Sequence, residues 1–264
     1  MIAPTELNLD KNSSSRWFLP VLIALPVMGM LLIVAYQFGR INEVQNLTKT
    51  FTPYIQTVND FGGLRRYQPV NDQVNPPEPN EQRVVFFGDS ITDFWLLPRY
   101  FPGKRYINRG ISGQTTAQML VRFKQDVLYL HPSAVVILAG VNDIAGNTGP
   151  MTVEQTEGNI ETMAELAYFH GIHVVICSIL PVSKTIWSAE KRAKIVRLNT
   201  WLQNYADTNH YPYVDYYDAM KDRDSSLPER LSLDGIHPLP GGYSIMAPLA
   251  ESAIEDSLKE EEQR

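Results

Sequence analysis

The sequence has a single cysteine, Cys177, and no grouping of cysteines and histidines at the spacing of metal ligands. One cysteine excludes an internal disulfide, and the missing ligand cluster gives no support for a structural zinc site. Cys177 lies in an apolar run, so we expect a buried core residue. Basic residues are also few: 23 lysines and arginines against 29 acidic residues give a formal net charge of −6. This balance argues against a nucleic-acid partner, which needs clustered positive charge.

Residues 17–36 contain no charged side chain. At about 1.5 Å per residue a helix of this length spans a hydrocarbon layer of about 30 Å. Trp17 and Tyr36 stand at its ends, as interfacial aromatic residues do. The run is longer than the apolar part of a signal peptide, about 7–15 residues. We therefore favour a single-pass membrane anchor over a cleaved signal peptide or a buried helix, with the following domain outside the cytoplasm by default, or secreted if the segment is cleaved.

Four parts follow from composition along the chain. Residues 1–16 are a short polar tail, and residues 17–36 are the expected anchor. Residues 37–82 are polar and end in a proline-rich stretch, which is typical of an extended spacer. Residues 83–264 alternate short apolar runs with longer amphipathic stretches, which predicts one α/β domain.

This alternation predicts a flavodoxin-like three-layer α/β/α sandwich around a five-stranded parallel sheet. Such sheets bind ligands beyond the carboxyl ends of their strands, so the residues that follow each run are the candidates for function. The predicted strands are residues 84–87, 106–108, 134–138, 174–178 and 213–215, and the predicted helices are residues 115–129, 152–170, 189–208 and 242–259.

Two polar motifs follow predicted strands and carry groups suited to acyl transfer. Ser90 follows Gly88 and Asp89 at the end of the first strand, where a serine is either a helix N-cap or an exposed nucleophile. Asp234 precedes His237 by three residues, close enough for the carboxylate to orient the imidazole. The alternative for that second motif is a surface turn.

Two further strand ends carry groups that could stabilise an oxyanion. Gly113 follows the second strand and would let a backbone N–H approach a substrate, and the side-chain amide of Asn142, after the third strand, is a neutral donor. Either residue alone could be a turn former. We expect Asp89 and Asp143 to cap helices or brace loops, and we assign no role to the remaining histidines, which are His131, His170, His173 and His210.

Over residues 83–258 these motifs together resemble the GDSL lipases and esterases, also called SGNH hydrolases. The resemblance implies that Ser90 is the nucleophile, His237 the base and Asp234 the acid. It also implies an oxyanion hole of the Ser90 N–H, the Gly113 N–H and the Asn142 amide, with no cofactor and no metal. The blocks that begin at Arg109 and Gly241 resemble most the bacterial acylhydrolases and the platelet-activating-factor acetylhydrolase subunits. Val141 departs from the small or hydroxylated residue of many members, which affects the shape of the acyl pocket.

The resemblance predicts hydrolysis of carboxylic esters through an acyl-enzyme. We rank a small-molecule ester with a short acyl chain, or a lipid such as a lysophospholipid, as the first substrate class. A carbohydrate acetylesterase is the alternative, with Trp95 and Trp187 as candidate platforms for sugar rings. A noncatalytic, membrane-anchored binding module is a third interpretation, disfavoured because all the motifs are present. The sequence leaves the oligomeric state open.

Overall fold

The structure is a computed structural model that describes residues 30, 31, 33–48 and 58–259 of the chain. It separates into two units, Met1–Asn59 and Asp60–Arg264. In the first unit residues 30–31 and 33–48 are helical, and residues 33–48 are named α1. Within the described part of the chain, no helix combines the length and apolarity needed to cross a membrane. The polar tail and most of the expected anchor lie outside the described residues.

The apolar runs of the second unit form the predicted five-stranded parallel sheet, with the strand order β2-β1-β3-β4-β5 that is typical of flavodoxin-like folds. All residues of β1 and β3 are buried, as expected for strands covered on both faces. The strands are β1 Val84–Gly88, β2 Tyr106–Gly110, β3 Ala134–Leu138, β4 His173–Cys177 and β5 Tyr213–Val214.

Helices cover both faces of this sheet. Successive residues of a strand point to opposite faces, so Val85 and Phe87 enter one core cluster while Val84 and Phe86 enter the other. Cys177 lies in the second cluster and is buried, as expected. The helices of this unit are α2 Gln68–Asn71, α3 Ser90–Asp93, α4 Leu97–Tyr100, α5 Thr116–Asp126, α6 Val141–Ala145, α7 Val153–Phe169, α8 Ala189–Asn209, α9 Tyr216–Met220 and α10 Pro240–Lys259.

The register of the central strands places the motif-bearing residues side by side. Gly88 of β1 pairs with Gly110 of β2 and with Leu138 of β3. The chain leaves all three strands in the same direction, because the strands are parallel. The residues after them therefore meet at the carboxyl edge of the sheet.

Residues 60–82 differ from the spacer expected from composition, because they belong to the same compact unit as the sheet. Tyr67 donates a hydrogen bond to the carbonyl of Gly110 at 2.5 Å, and Asn71 donates to Asp126 at 2.7 Å. The polar side chains that indicated a solvated spacer are instead partners for polar groups of the domain. Composition could not distinguish these two uses of the same residues.

Candidate active site

Ser90 is the first residue of α3, directly beyond the end of β1. The turn before it is tight, since a Cβ on Gly88 would lie 2.1 Å from Thr92 Oγ1. Asp89 is the N-cap of the helix, and its carboxylate accepts the backbone N–H of Ile91 at 3.0 Å. The capping role therefore belongs to Asp89, and the alternative in which Ser90 is the N-cap does not hold.

The structure brings Ser90, His237 and Asp234 into one hydrogen-bonded chain. His237 Nε2 lies 2.8 Å from Ser90 Oγ, and His237 Nδ1 lies 2.6 Å from Asp234 Oδ2. With the Nδ1 proton donated to the carboxylate, Nε2 is free to accept the hydroxyl proton of Ser90. These distances meet the geometric requirement for a nucleophile, its base and a group that orients the base.

The loop that carries Asp234 and His237 is held by its own hydrogen bonds. Asp234 Oδ1 accepts the backbone N–H of Ile236 at 2.9 Å and that of His237 at 2.8 Å, and the Ser232 hydroxyl at 3.1 Å. The other carboxylate oxygen binds the imidazole. One aspartate side chain therefore fixes both the backbone of the loop and the ring it presents.

Asp234 is set to remain ionised. Burial is the largest single influence and acts to raise the pKa of its carboxyl group. The hydrogen bonds from the His237 ring, from the His237 N–H and from the Ile236 N–H lower this pKa. The positive charge that His237 carries when protonated lowers it further. Together they hold the pKa of Asp234 well below its usual range, so a negative charge faces His237 at neutral pH.

Gly113 lies in the loop between β2 and α5 and has a φ of +80°, which favours glycine. Asp93 of α3 binds the preceding residue, since its Oδ2 accepts both the N–H and the hydroxyl of Ser112, at 3.2 and 2.7 Å. The Gly113 carbonyl accepts the side-chain amide of Asn147 at 2.9 Å. The loop is thus fixed to α3 on one side and to the segment after α6 on the other.

Asn142, the second residue of α6, has every polar group of its side chain engaged. Its Nδ2 donates to the Gln114 carbonyl at 3.0 Å and to Asp89 Oδ2 at 3.2 Å, and its Oδ1 accepts Asn147 Nδ2 at 2.8 Å. Asn147 was not singled out by sequence reasoning, because a lone loop asparagine carries no recognisable signal. It connects Asn142 to the Gly113 loop.

Two buried carboxylates support these loops, as their sequence positions suggested. Asp143 accepts the backbone N–H of Thr116 at 3.0 Å and the hydroxyls of Thr116 and Thr156, and so connects α6 to α5 and α7. Burial raises the pKa of Asp143, and it raises that of Asp89 to about 7. Both residues act through hydrogen bonds to neighbouring elements rather than through a bond to Ser90 or His237.

The aromatic residues near the site differ from the expected sugar platforms. Trp95 is 2% exposed and packs against Phe86, so it belongs to the core. Trp187 is half-buried, with Lys191 over its ring. Phe94 is the exposed ring beside the site, 53% exposed and with its centroid 5.2 Å from that of His237. Sequence alone could not say which of the adjacent residues 94 and 95 faces inward.

A parallel α/β/α sandwich whose strand ends bring a serine, a histidine and an aspartate into contact has the architecture of a serine hydrolase. The chain belongs to the GDSL-like Lipase/Acylhydrolase family, whose sequence model matches residues 86–245. Membership of this family supports a carboxylic ester hydrolase over the noncatalytic interpretation.

Several known proteins are similar to it. A GDSL-like lipase from Bacteroides thetaiotaomicron has 42% identity and a TM-score of 0.71, covering 75% of this chain and 100% of that one. Three quarters of the chain is more than residues 83–264 supply, so the matched region extends into residues 60–82. An acetylxylan esterase structure from Geobacillus stearothermophilus, at 20% identity and a TM-score of 0.57, covers 69% of this chain and 96% of that one and shares the fold.

A curated acetylxylan esterase from Geobacillus stearothermophilus is 31% identical over 88 aligned positions, and the match covers 24% of this chain. The match spans 40% of that protein, so the chain covers about two fifths of this relative's length.

Proposed function

We propose that this protein is a serine esterase that cleaves carboxylic esters through Ser90, His237 and Asp234. The observation that carries the proposal is the continuous chain of hydrogen bonds from Asp234 through both ring nitrogens of His237 to Ser90 Oγ. Serine is a weak nucleophile at neutral pH and needs an adjacent base, which this chain supplies.

In the proposed reaction Ser90 Oγ bonds to the ester carbonyl carbon while His237 Nε2 takes the hydroxyl proton. The tetrahedral oxyanion is stabilised by the N–H groups of Ser90 and Gly113 and by the Asn142 amide. Both amide protons of Asn142 already have acceptors, the Gln114 carbonyl and Asp89 Oδ2. The oxyanion therefore takes the place of Asp89 as acceptor, because that hydrogen bond is the longer of the two. The intermediate collapses as His237 protonates the departing alcohol, and water then hydrolyses the acyl-enzyme by the same proton route.

For the substrate, we propose an ester with an apolar group next to the scissile bond, either a short acyl ester or a lipid ester. Phe94 stands beside His237, and Leu233 next to Asp234 is 86% exposed. These exposed apolar side chains, one beside the proposed base and one adjacent in the chain to the proposed acid, suit an alkyl or acyl chain.

A carbohydrate acetylesterase is the second candidate. It is favoured by the curated relative's name, acetylxylan esterase, and by the exposed ring of Phe94, which could stack on a sugar as well as contact an acyl chain. Release of acetate from acetylated xylan, compared at equal enzyme concentration with hydrolysis of p-nitrophenyl acetate, butyrate and octanoate, separates the two. Preference for the xylan supports the second candidate, and preference for butyrate or octanoate supports the first.

The proposed nucleophile is tested by replacing Ser90 with alanine in the full chain. Ser90→Ala should lower kcat by at least about 10⁴-fold and prevent covalent labelling by an organophosphate ester. The matched control is Ser244→Ala, which removes an exposed hydroxyl on α10 that donates to the Pro240 carbonyl. Full turnover by a folded Ser90→Ala protein would refute the mechanism.

We also propose that residues 17–36 anchor the protein in a membrane, with the esterase domain on the extracytoplasmic side. The support is the uncharged run and its terminal aromatic residues. Alkaline extraction of membranes should leave the full chain in the pellet and release a chain that lacks residues 1–36. Recovery of both chains in the supernatant would contradict the anchor.

A further inference from the structure

The segment before β1 is fastened across the elements that carry the proposed oxyanion donors. We name residues 60–74 the clasp. Backbone carbonyls of the clasp accept side-chain amides of α5 and of the loop before it: Gln118 Nε2 bonds Phe61 O at 2.9 Å, Gln114 Nε2 bonds Gly62 O at 2.8 Å, and Gln125 Nε2 bonds Leu64 O at 2.6 Å.

Side chains of the clasp bind the same region in return. Arg66 lies 3.6 Å from Asp93, the carboxylate that binds Ser112, and Tyr67 donates to the Gly110 carbonyl at the end of β2. Asn71 Oδ1 accepts both Nε and an Nη of Arg109, at 3.0 and 2.7 Å. The clasp thus contacts the residues on both sides of Gly113.

Gln114 joins the clasp to the proposed oxyanion hole. Its Nε2 donates to Gly62 of the clasp, its Oε1 accepts Arg122 Nε at 2.5 Å, and its backbone carbonyl accepts the Asn142 amide. The residue is 4% exposed, so its side chain has little freedom to find other partners. It also directly follows Gly113 in the chain.

Arg122 completes the connection to the nucleophile. Its side chain is fully buried, and its guanidinium donates to the carbonyls of Gly88 and Arg109, both at 2.9 Å, as well as to Asp126 at 3.1 Å. Gly88 stands two residues before Ser90. The same guanidinium therefore holds the end of β1, the end of β2 and the side chain of Gln114.

We infer that Gln114 is a positioning residue for the esterase reaction and that the clasp holds it in place. This inference rests on the proposed function, since it concerns the donors assigned there to the oxyanion. Gln114 fixes the Asn142 amide through its carbonyl and the Gly113 N–H through the loop they share. An oxyanion donor displaced by about 1 Å can cost up to about 100-fold in rate, because the donor must point at a charge that appears only in the transition state.

Two substitutions in the full chain test this from opposite sides. Gln114→Glu keeps the acceptor for Arg122 but removes the donor to Gly62. Gly63→Ala leaves Gln114 intact but places a Cβ 2.9 Å from its Nε2, at a φ of +67°. We expect each to lower kcat by about 10- to 100-fold, with KM within about threefold and the acidic limb of the pH profile unmoved, because His237 and Asp234 are untouched.

Each variant has a matched control. Gln73→Glu makes the same chemical change at an exposed amide that donates to the Pro69 carbonyl at 2.9 Å, within the clasp itself. Gly103→Ala introduces the same kind of backbone strain at a φ of +79°, where an added Cβ meets nothing within 4 Å. Both controls should keep kcat within about twofold of the wild-type value, since their effects are limited to stability.

Hydrogen–deuterium exchange of residues 110–116 provides a readout that does not depend on hydrolysis. Faster exchange there in Gln114→Glu and Gly63→Ala, but not in the controls, supports the positioning role. Wild-type kcat and exchange in both variants, or equal losses in variants and controls, would overturn it. Failure of the proposed function is distinguished from failure of this inference by Ser90→Ala. If the proposed function is wrong, Ser90→Ala retains turnover, whereas the exchange measurement still reports whether Gln114 holds the loop. If Gln114→Glu fails to fold, Gly63→Ala decides the outcome.

Discussion

The two halves of the candidate site are built in contrasting ways. The proposed oxyanion half is anchored by buried charged groups. The side chains of Arg122 and Asp126 are fully buried, and Asp89 and Asp143 are almost fully buried. The acid–base half is exposed: the side chains of His237 and Asp234 are 31% and 55% accessible, and short-range hydrogen bonds hold them. Substitutions in the exposed half should therefore affect the reaction mostly, and substitutions in the buried half should affect folding as well.

The largest expected effect is on catalysis, in the exposed half. Asp234→Asn should lower kcat by about 10⁴-fold, because an amide can turn its NH₂ group toward Nδ1 and stabilise the wrong tautomer of His237. The free energy of unfolding should change by only about 1 kcal/mol or less, since the side chain is half exposed.

The control for that substitution is Asp222→Asn, in another loop where the carboxylate also accepts backbone N–H groups, those of Asp224 and Ser226. Steady-state kinetics and urea unfolding measure both quantities. The prediction would be contradicted if the activity of Asp234→Asn fell only in proportion to its fraction of folded protein, because the exposed half would then affect stability as the buried half does.

The largest effect on stability is expected in the buried half. Arg122→Met should lower the free energy of unfolding by about 3–5 kcal/mol, because it leaves the Asp126 carboxylate buried without its ion-pair partner. Lys124→Met, two residues away on the exposed face of α5, should stay within about 0.5 kcal/mol of wild type. Urea denaturation followed by circular dichroism measures both, and equal stabilities for the two variants would contradict the prediction.

An intermediate effect is expected for Asn142, which is a proposed oxyanion donor and also belongs to the buried hydrogen-bond network. Asn142→Ala should lower kcat by about 10²–10³-fold through loss of one oxyanion donor. Asn147→Ala should cost less, about tenfold, because its amide only orients Asn142 and the Gly113 loop. Kinetics on p-nitrophenyl butyrate rank the two, and the reverse order would mean that Asn147 is the donor.

A further prediction concerns the dependence of stability on pH. Because burial raises the pKa of Asp89 to about 7, the folded protein binds this proton more tightly than the unfolded chain does. The contribution of Asp89 to stability is thus complete at acidic pH and is lost as pH rises from about 4 to about 7. In Asp89→Asn the free energy of unfolding should fall less steeply with pH over that range. The control Asp207→Asn, on the exposed face of α8, should keep the wild-type dependence on pH. The same dependence in wild type and both variants would argue against the raised pKa.

Much of this arrangement could be predicted from sequence, because strand-forming runs and motif spacing are local signals. The five-stranded parallel sheet was correctly predicted, and the residues of the motifs after β1, β2, β3 and β5 lie at one edge of the sheet. The assignment of Ser90, Gly113, Asn142, Asp234 and His237 to catalysis remains a prediction that the substitutions above test.

What the sequence did not reveal depends on long-range contacts. Asn71 and Tyr67 carry no signal that they bind the domain, since polar residues in a proline-rich stretch resemble a spacer. Arg122 looks like an ordinary helix residue, and its burial depends on four acceptors from separate parts of the chain. Trp95 and Phe94 are neighbours whose opposite orientations are set by the packing of α3 on β1.

The loop around Asp234 has a consequence for inheritance. Asp234, His237 and most of the hydrogen bonds that shape their loop lie between Ser232 and His237, so one short stretch of gene encodes the proposed acid and base together. Recombination can exchange that stretch between related chains without separating the partners. The proposed oxyanion donors come from the segments after β1, β2 and β3, so inheriting them together requires the whole stretch from Ser90 to Asn142.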